Sequence, residues 1–149
     1  MAATIAILED DPGRTAAFRD VLARLAADHV VVIIDNAPDL IGWLEQGLAS
    51  SVLICLDHDL GPSRHRGDER FEPGCGRDVV DWLAQRPAQC PVIVHSSNGV
   101  AVTGMLFALE EAGWSTGRVI PFGGLDWVEA EWAPAITRAL RTRLGGRDE

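Results

Sequence analysis

Five short runs rich in β-branched residues alternate along this chain with longer stretches of helical period, and few folds accommodate that alternation. It predicts βα units stacked on a parallel sheet. Thr4 to Leu8 reads as the first strand, Val30 to Ile34 as the second, Val52 to Leu56 as the third, Pro91 to Val94 as the fourth and Val119-Ile120 as a short fifth. The third run is apolar without interruption, as suits a strand covered on both faces. Asp11 is placed to cap the first helix, with Pro12 at its first position and Phe18, Val21, Leu22 and Leu25 as its apolar stripe. Leu40, Ile41, Trp43 and Leu44 mark the second helix, Val79, Val80, Trp82 and Leu83 the third, and Met105, Leu106 and Leu109 the fourth. The last helix or helices run from Leu125 to about Leu144, interrupted or restarted at Pro134. The expected fold is α/β: a doubly wound parallel sheet with helices on both faces, as one domain over residues 1–149.

Composition supports such a domain. With 47% apolar and 23% charged residues the chain can bury a core without staples. A net charge of −9 and a pI near 4.8 exclude broad binding to phosphate backbones or anionic membranes. All 13 Lys+Arg residues are arginines, which removes any mechanism that needs a lysine ammonium. Cys55, Cys75 and Cys90 lack the paired spacing of a disulfide framework or zinc cluster. Neither an amino-terminal targeting pattern nor a membrane-length apolar run is evident, so the expected location is cytoplasmic. One segment breaks the pattern: Gly61 to Gly76 is a polar insert, punctuated by Gly and Pro, that carries Arg64, Arg66 and Arg70.

Ligands of open parallel sheets gather outside the carboxyl ends of the strands. There the first strand ends in Glu9-Asp10-Asp11, the third in Asp57-His58-Asp59 and the fourth in His95-Ser96-Ser97-Asn98. In the common strand order 2-1-3-4-5 these groups become neighbours. Each acid alone is explained as a helix cap or a solvated loop charge. Together they point to a hard divalent cation with oxygen ligands, Mg²⁺ or Mn²⁺, drawn from Asp10, Asp11, Asp57 and Asp59. His95 is suited to proton transfer, and Ser96 and Asn98 to orienting a phosphate beside a helix N-terminus. The insert's arginines are candidates for a phosphate clamp over the pocket.

On these residues the chain resembles the receiver domain, the phosphoacceptor module of two-component signalling with its flavodoxin-type sheet. Glu9-Asp10-Asp11 matches that family's acidic cluster, Asp57 in Leu-Asp-His-Asp-Leu its phosphoacceptor, and Pro91 to Ser96 the strand bearing its Ser/Thr switch. At Ile120-Pro121-Phe122 the family carries a Lys before the Pro, where this chain has Ile120. Leu-Asp-His-Asp-Leu-Gly, paired with His-Ser-Ser-Asn-Gly and Met105, is similar to a divergent branch, the cyclic-phosphate processing receiver domains. That resemblance implies a metal-assisted enzyme acting on a cyclic phosphate or related phosphoester, an RNA end among the candidates.

Three functions follow as expectations. The first is a phosphoesterase using Asp10, Asp11, Asp57, Asp59 and Mg²⁺ or Mn²⁺, with His95 as general acid or base. Its substrate would be a phosphate-containing small molecule or RNA end. The second is a receiver phosphorylated at Asp57, in which Arg64 or Arg66 replaces the lysine. The third is an adaptor without chemistry that binds a signalling or repair partner through the helix carrying Trp127 and Trp132, the tryptophans themselves being read as core or packing residues.

Overall fold

Strand β1 (Thr4–Leu8) leads into α1 (Pro12–Leu25), β2 (Val30–Ile34), α2 (Ala37–Gly47) and, after a short 3₁₀ turn, β3 (Ser51–Leu56). A small antiparallel pair, β4 (Arg64–Arg66) and β5 (Glu69–Phe71), precedes α3 (Gly76–Leu83), β6 (Val92–His95), α4 (Gly99–Glu111), β7 (Thr116–Val119) and α5 (Ala133–Asp148). These assignments come from a computed structural model that describes residues 2–148, and side chains as far as residue 142. The main sheet has five parallel strands in the order β2-β1-β3-β6-β7, the doubly wound order expected. Among the described residues no helix is long and apolar enough to cross a membrane.

The strand period of two divides the core between the sheet's faces. Ile5, Ile7, Leu53, Cys55 and Ile93 point to one face, where Phe18, Val21 and Leu22 of α1, Trp132 just before α5 and Ile136 within it cover them. Ala6, Leu8, Ile54, Leu56, Val92 and Val94 point to the other, against apolar residues of α2, α3 and α4. The same parity governs the residues that continue each strand past its end.

Beyond one-residue shifts at the starts of β3 and β6, three boundaries differ from the sequence expectation. The fifth sheet strand is Thr116–Val119 rather than Val119-Ile120, because it follows β6 in register from Val92↔Thr116 to His95↔Val119. As an edge strand it is incompletely covered, so Thr116, Gly117 and Arg118 lack an apolar signature. His95 is the last residue of β6 rather than the first of a loop. Pro134 does not restart the last helix. The chain passes through a wide π-type turn, Val128–Trp132, straight into α5, and the proline's missing N–H accounts for the widened turn before it.

Gly76 fixes how the β3 loop is held. A Cβ there would collide with the backbone carbonyl of Asp57 and lie 2.8 Å from Met105 Cε, while the Gly76 N–H donates to the His58 carbonyl at 2.9 Å. Gly76→Ala is therefore expected to cost about 2 kcal/mol, the scale of overpacking where backbone must move. Urea denaturation checks this; stability within 0.5 kcal/mol of wild type, to order of magnitude, would contradict the close approach.

Candidate functional site

β1 and β3 pair up to Leu8↔Leu56, and β3 and β6 up to Leu56↔Val94. One residue further along each strand come Glu9, Asp57 and His95. They share the parity of Ile7, Cys55 and Ile93, so all three side chains turn to the α1/α5 side and meet. Their ligand-type atoms lie within 4.8 Å of one another, the one such His/Cys/Asp/Glu cluster among the described residues.

Each member is held differently. Glu9 is buried; its Oε2 accepts the backbone N–H groups of Asp10 and Asp11, both at 3.0 Å, and its Oε1 faces His95 Nε2 at 3.0 Å. Burial works to raise the Glu9 carboxyl, but the His95 hydrogen bond and charge, the Asp11 N–H and Arg14 outweigh it and hold the group below its ordinary value. His95 is 0% exposed, edge-on to Phe18 at 5.2 Å and stacked with Trp127 at 6.2 Å between centroids. Asp57 has one oxygen, Oδ1, accepting the His58 N–H at 2.7 Å. Burial first, and the charge of Glu9 second, push its carboxyl up to about 8. Its ionised form thus lacks sufficient compensation from the protein alone.

Above this floor opens a cavity of about 510 Å³, whose walls include Asp10, Asp11, Arg14, Asp59, Ser96 and Ser97. Asp10 is itself shifted upward, by burial and then by Glu9. Asp11 caps α1, its Oδ2 accepting the Arg14 N–H at 2.8 Å, so one of its oxygens is already committed. The Asp59 side chain is 69% exposed on the rim, 4.0 Å from His58 Nε2. Ser96 is buried, and its Oγ accepts the Asn98 N–H at 3.1 Å. Asn98 turns away from the cavity to cap α4, accepting the Ala101 N–H at 3.1 Å. Of the residues expected to do chemistry, the structure brings Asp10, Asp11, Asp57, Asp59 and Ser96 to one cavity, places His95 behind Glu9, and leaves Asn98 outside.

The insert does not supply a clamp. Arg64 pairs with Asp35 at 3.2 Å and Arg66 with Asp39 at 2.9 Å, so the β4–β5 hairpin is docked on the start of α2. Arg66 also lies over the Phe71 ring at 3.8 Å. Neither arginine lines the acidic cavity. The cation found there is Arg14, which the sequence reading passed over: its Nη1 lies 3.6 Å from Glu9 Oε1 and 3.7 Å from Asp57 Oδ2. Trp127 and Trp132 are 3% and 0% exposed and pack in the core on the α1/α5 side of the sheet. A second hollow, of about 250 Å³ between β7 and α5, contains no acid and lies toward the amino ends of the strands, near Pro91 and Thr116.

Comparison with known proteins gives a family and a fold. A family model, that of the cyclic-phosphate processing receiver domain, matches residues 5–111. No curated protein matches the chain. Among solved structures, the phosphorylated cyanobacterial phytochrome response regulator RcpA aligns over 93% of this chain and 91% of its own, at TM-score 0.63 and 18% identity. The response regulator domain of Thermotoga maritima CheB aligns over 97% and 98%, at TM-score 0.66 and 16% identity. The Mn²⁺-bound form of the response regulator Rcp1 aligns over 88% and 94%, at TM-score 0.60 and 19% identity. At such identities these structures establish a shared receiver fold.

Proposed function

The chain belongs to the cyclic-phosphate processing receiver domain family, and from that premise we propose that its acidic cavity opens a cyclic phosphodiester, an RNA 2′,3′-cyclic phosphate end being the substrate to test first. The observation that carries the proposal is the Glu9–Asp57–His95 rung at the base of a cavity walled by further carboxylates. That donor set fits Mg²⁺ or Mn²⁺. It is oxygen-rich, and Asp57 is a buried carboxyl whose ionisation the protein disfavours and a divalent cation would favour. Asp10, Asp57 and Asp59 would hold the ion, with Glu9 beside them. When bound, it would neutralise charge on the phosphoryl oxygens and lower the pKa of a water.

The chain's own groups account for the proton movements. Water attacks phosphorus, one ring P–O ester bond breaks, and a phosphomonoester with a free hydroxyl results. The proton lost by the water passes to the Glu9–His95 pair, which returns one to the departing alkoxide. His95, buried behind Glu9, acts through it as a positioning residue. Ser96 offers its hydroxyl to a phosphoryl oxygen, and Asn98 fixes the α4 N-terminus beside it.

A second reading, phosphorylation at Asp57, is favoured by the shared fold with the phosphorylated RcpA. Without a lysine, and with Arg64 and Arg66 engaged elsewhere, its charge compensation would fall to Arg14. The test is turnover of a short RNA ending in a 2′,3′-cyclic phosphate, with Mg²⁺ or Mn²⁺, followed by phosphorus NMR. Metal-dependent conversion to a monoester is expected. A stable acyl phosphate on Asp57 after incubation with acetyl phosphate, without ring opening, would favour the receiver reading instead.

A further inference from the structure

We infer that Arg14 is the phosphate-binding residue of this cavity, a guanidinium that grips the phosphoryl group of the substrate directly; the inference rests on the phosphoester reading above. Among the described residues that wall the cavity, Arg14 is the one cation, facing Glu9, Asp10, Asp11, Asp57 and Asp59. An anionic substrate entering between these acids meets repulsion on every side except there, and one divalent ion offsets only two of the charges.

Arg14 is poised for that contact. Its Nη1 lies 3.6 Å and 3.7 Å from the Glu9 and Asp57 oxygens, beyond ordinary hydrogen-bond length, so those charges orient it without consuming its donors. The guanidinium lies 5.3 Å from the centroid of the buried Trp127 ring, which backs it with an apolar, electron-rich face. Its side chain is 27% exposed, open enough to meet a ligand and covered enough to weaken solvent screening. The planar fork of N–H donors suits two phosphoryl oxygens at once, which the compact ammonium of lysine does not match. Its position in the first turn of α1, held by the Asp11 cap, fixes the approach direction.

The test uses inorganic phosphate as the probe, titrated calorimetrically into the full chain with Mg²⁺ present, for wild type, Arg14→Gln and Arg14→Lys. Mg²⁺ affinity is measured separately for each. Wild type is expected to bind phosphate saturably and Arg14→Gln about 10- to 100-fold more weakly, the range for loss of charge-assisted hydrogen bonds. Arg14→Lys should fall between, and Mg²⁺ affinity should stay the same or rise. Equal phosphate affinity in wild type and Arg14→Gln, absence of phosphate binding in wild type, or parallel loss of phosphate and Mg²⁺ binding would each overturn the assignment. If Arg14 governs phosphate binding but no cyclic phosphate is opened, the assignment stands and the proposed reaction falls.

Discussion

His95→Ala is expected to destabilise the domain by about 3–5 kcal/mol, the cost of removing one partner from a buried pair. Glu9 is buried, and His95 Nε2 is the closest side-chain partner of its Oε1 at 3.0 Å, Arg14 lying 3.6 Å away. The substitution also empties space beside Phe18 and Trp127 and loses both aromatic contacts. For a domain of this size each kcal/mol lowers Tm by about 2–4 °C, so a fall of roughly 10 °C is expected by calorimetry. His95→Gln, which keeps a donor for Glu9, should lose less than half as much stability. That variant is the one in which to read turnover, since it stays folded. If His95→Ala costs under about 1 kcal/mol, the buried pair is not what holds Glu9 in place.

Asp57→Asn should act in opposite directions on the two states of the site. Without metal, the folded carboxyl titrates near 8 and the unfolded one near its ordinary 3.8. The folded state therefore binds the extra proton between those values, and wild-type stability falls as pH rises through that window. The amide carries no such charge. Its advantage over wild type is expected to be absent below about pH 4, to grow toward pH 8 and to level off above, with an upper bound of about 6 kcal/mol for the full shift from 3.8 to about 8. With saturating Mg²⁺ the order reverses, because the ion binds the ionised native carboxylate and stabilises only wild type. Mg²⁺ affinity and turnover should both drop by on the order of 100-fold or more. Thermal melts from pH 4 to pH 9, with and without Mg²⁺, check this; an Asn variant less stable than wild type at pH 8 without metal would contradict the charge conflict at Asp57.

The alternation of strand and helix signals made the fold legible, as did the apolar continuity of Val52 to Leu56. Edge strand β7 was half-hidden because Thr116, Gly117 and Arg118 answer to backbone pairing with β6 rather than to a buried face. The acids and the histidine were visible as strand-end residues, but their grouping depends on parity. Counting by twos from Ile5, Leu53 and Ile93 arrives at Glu9, Asp57 and His95, a signal available in the sequence once the strands are extended by one residue. Arg14 was not legible in that way. Its approach to Asp57 depends on how α1 rotates over the sheet, set by the packing of Phe18 against Trp127 and Trp132. The partners of Arg64 and Arg66 were likewise tertiary, since Asp35 and Asp39 are more than twenty residues away in the chain.

A divalent cation bound by ionised Asp57 among its neighbouring acids is the central requirement of the proposed chemistry. Calorimetric titration of Mg²⁺ into wild type and Asp57→Asn at pH 6.5 and pH 8.5 tests this directly, in buffers of differing ionisation enthalpy so that proton release can be counted. The predicted result is one saturable site in wild type, tighter at pH 8.5, with a proton released on binding at pH 6.5 and little binding in the variant. Absence of saturable binding at millimolar Mg²⁺, or a site that Asp57→Asn leaves unchanged, would contradict it.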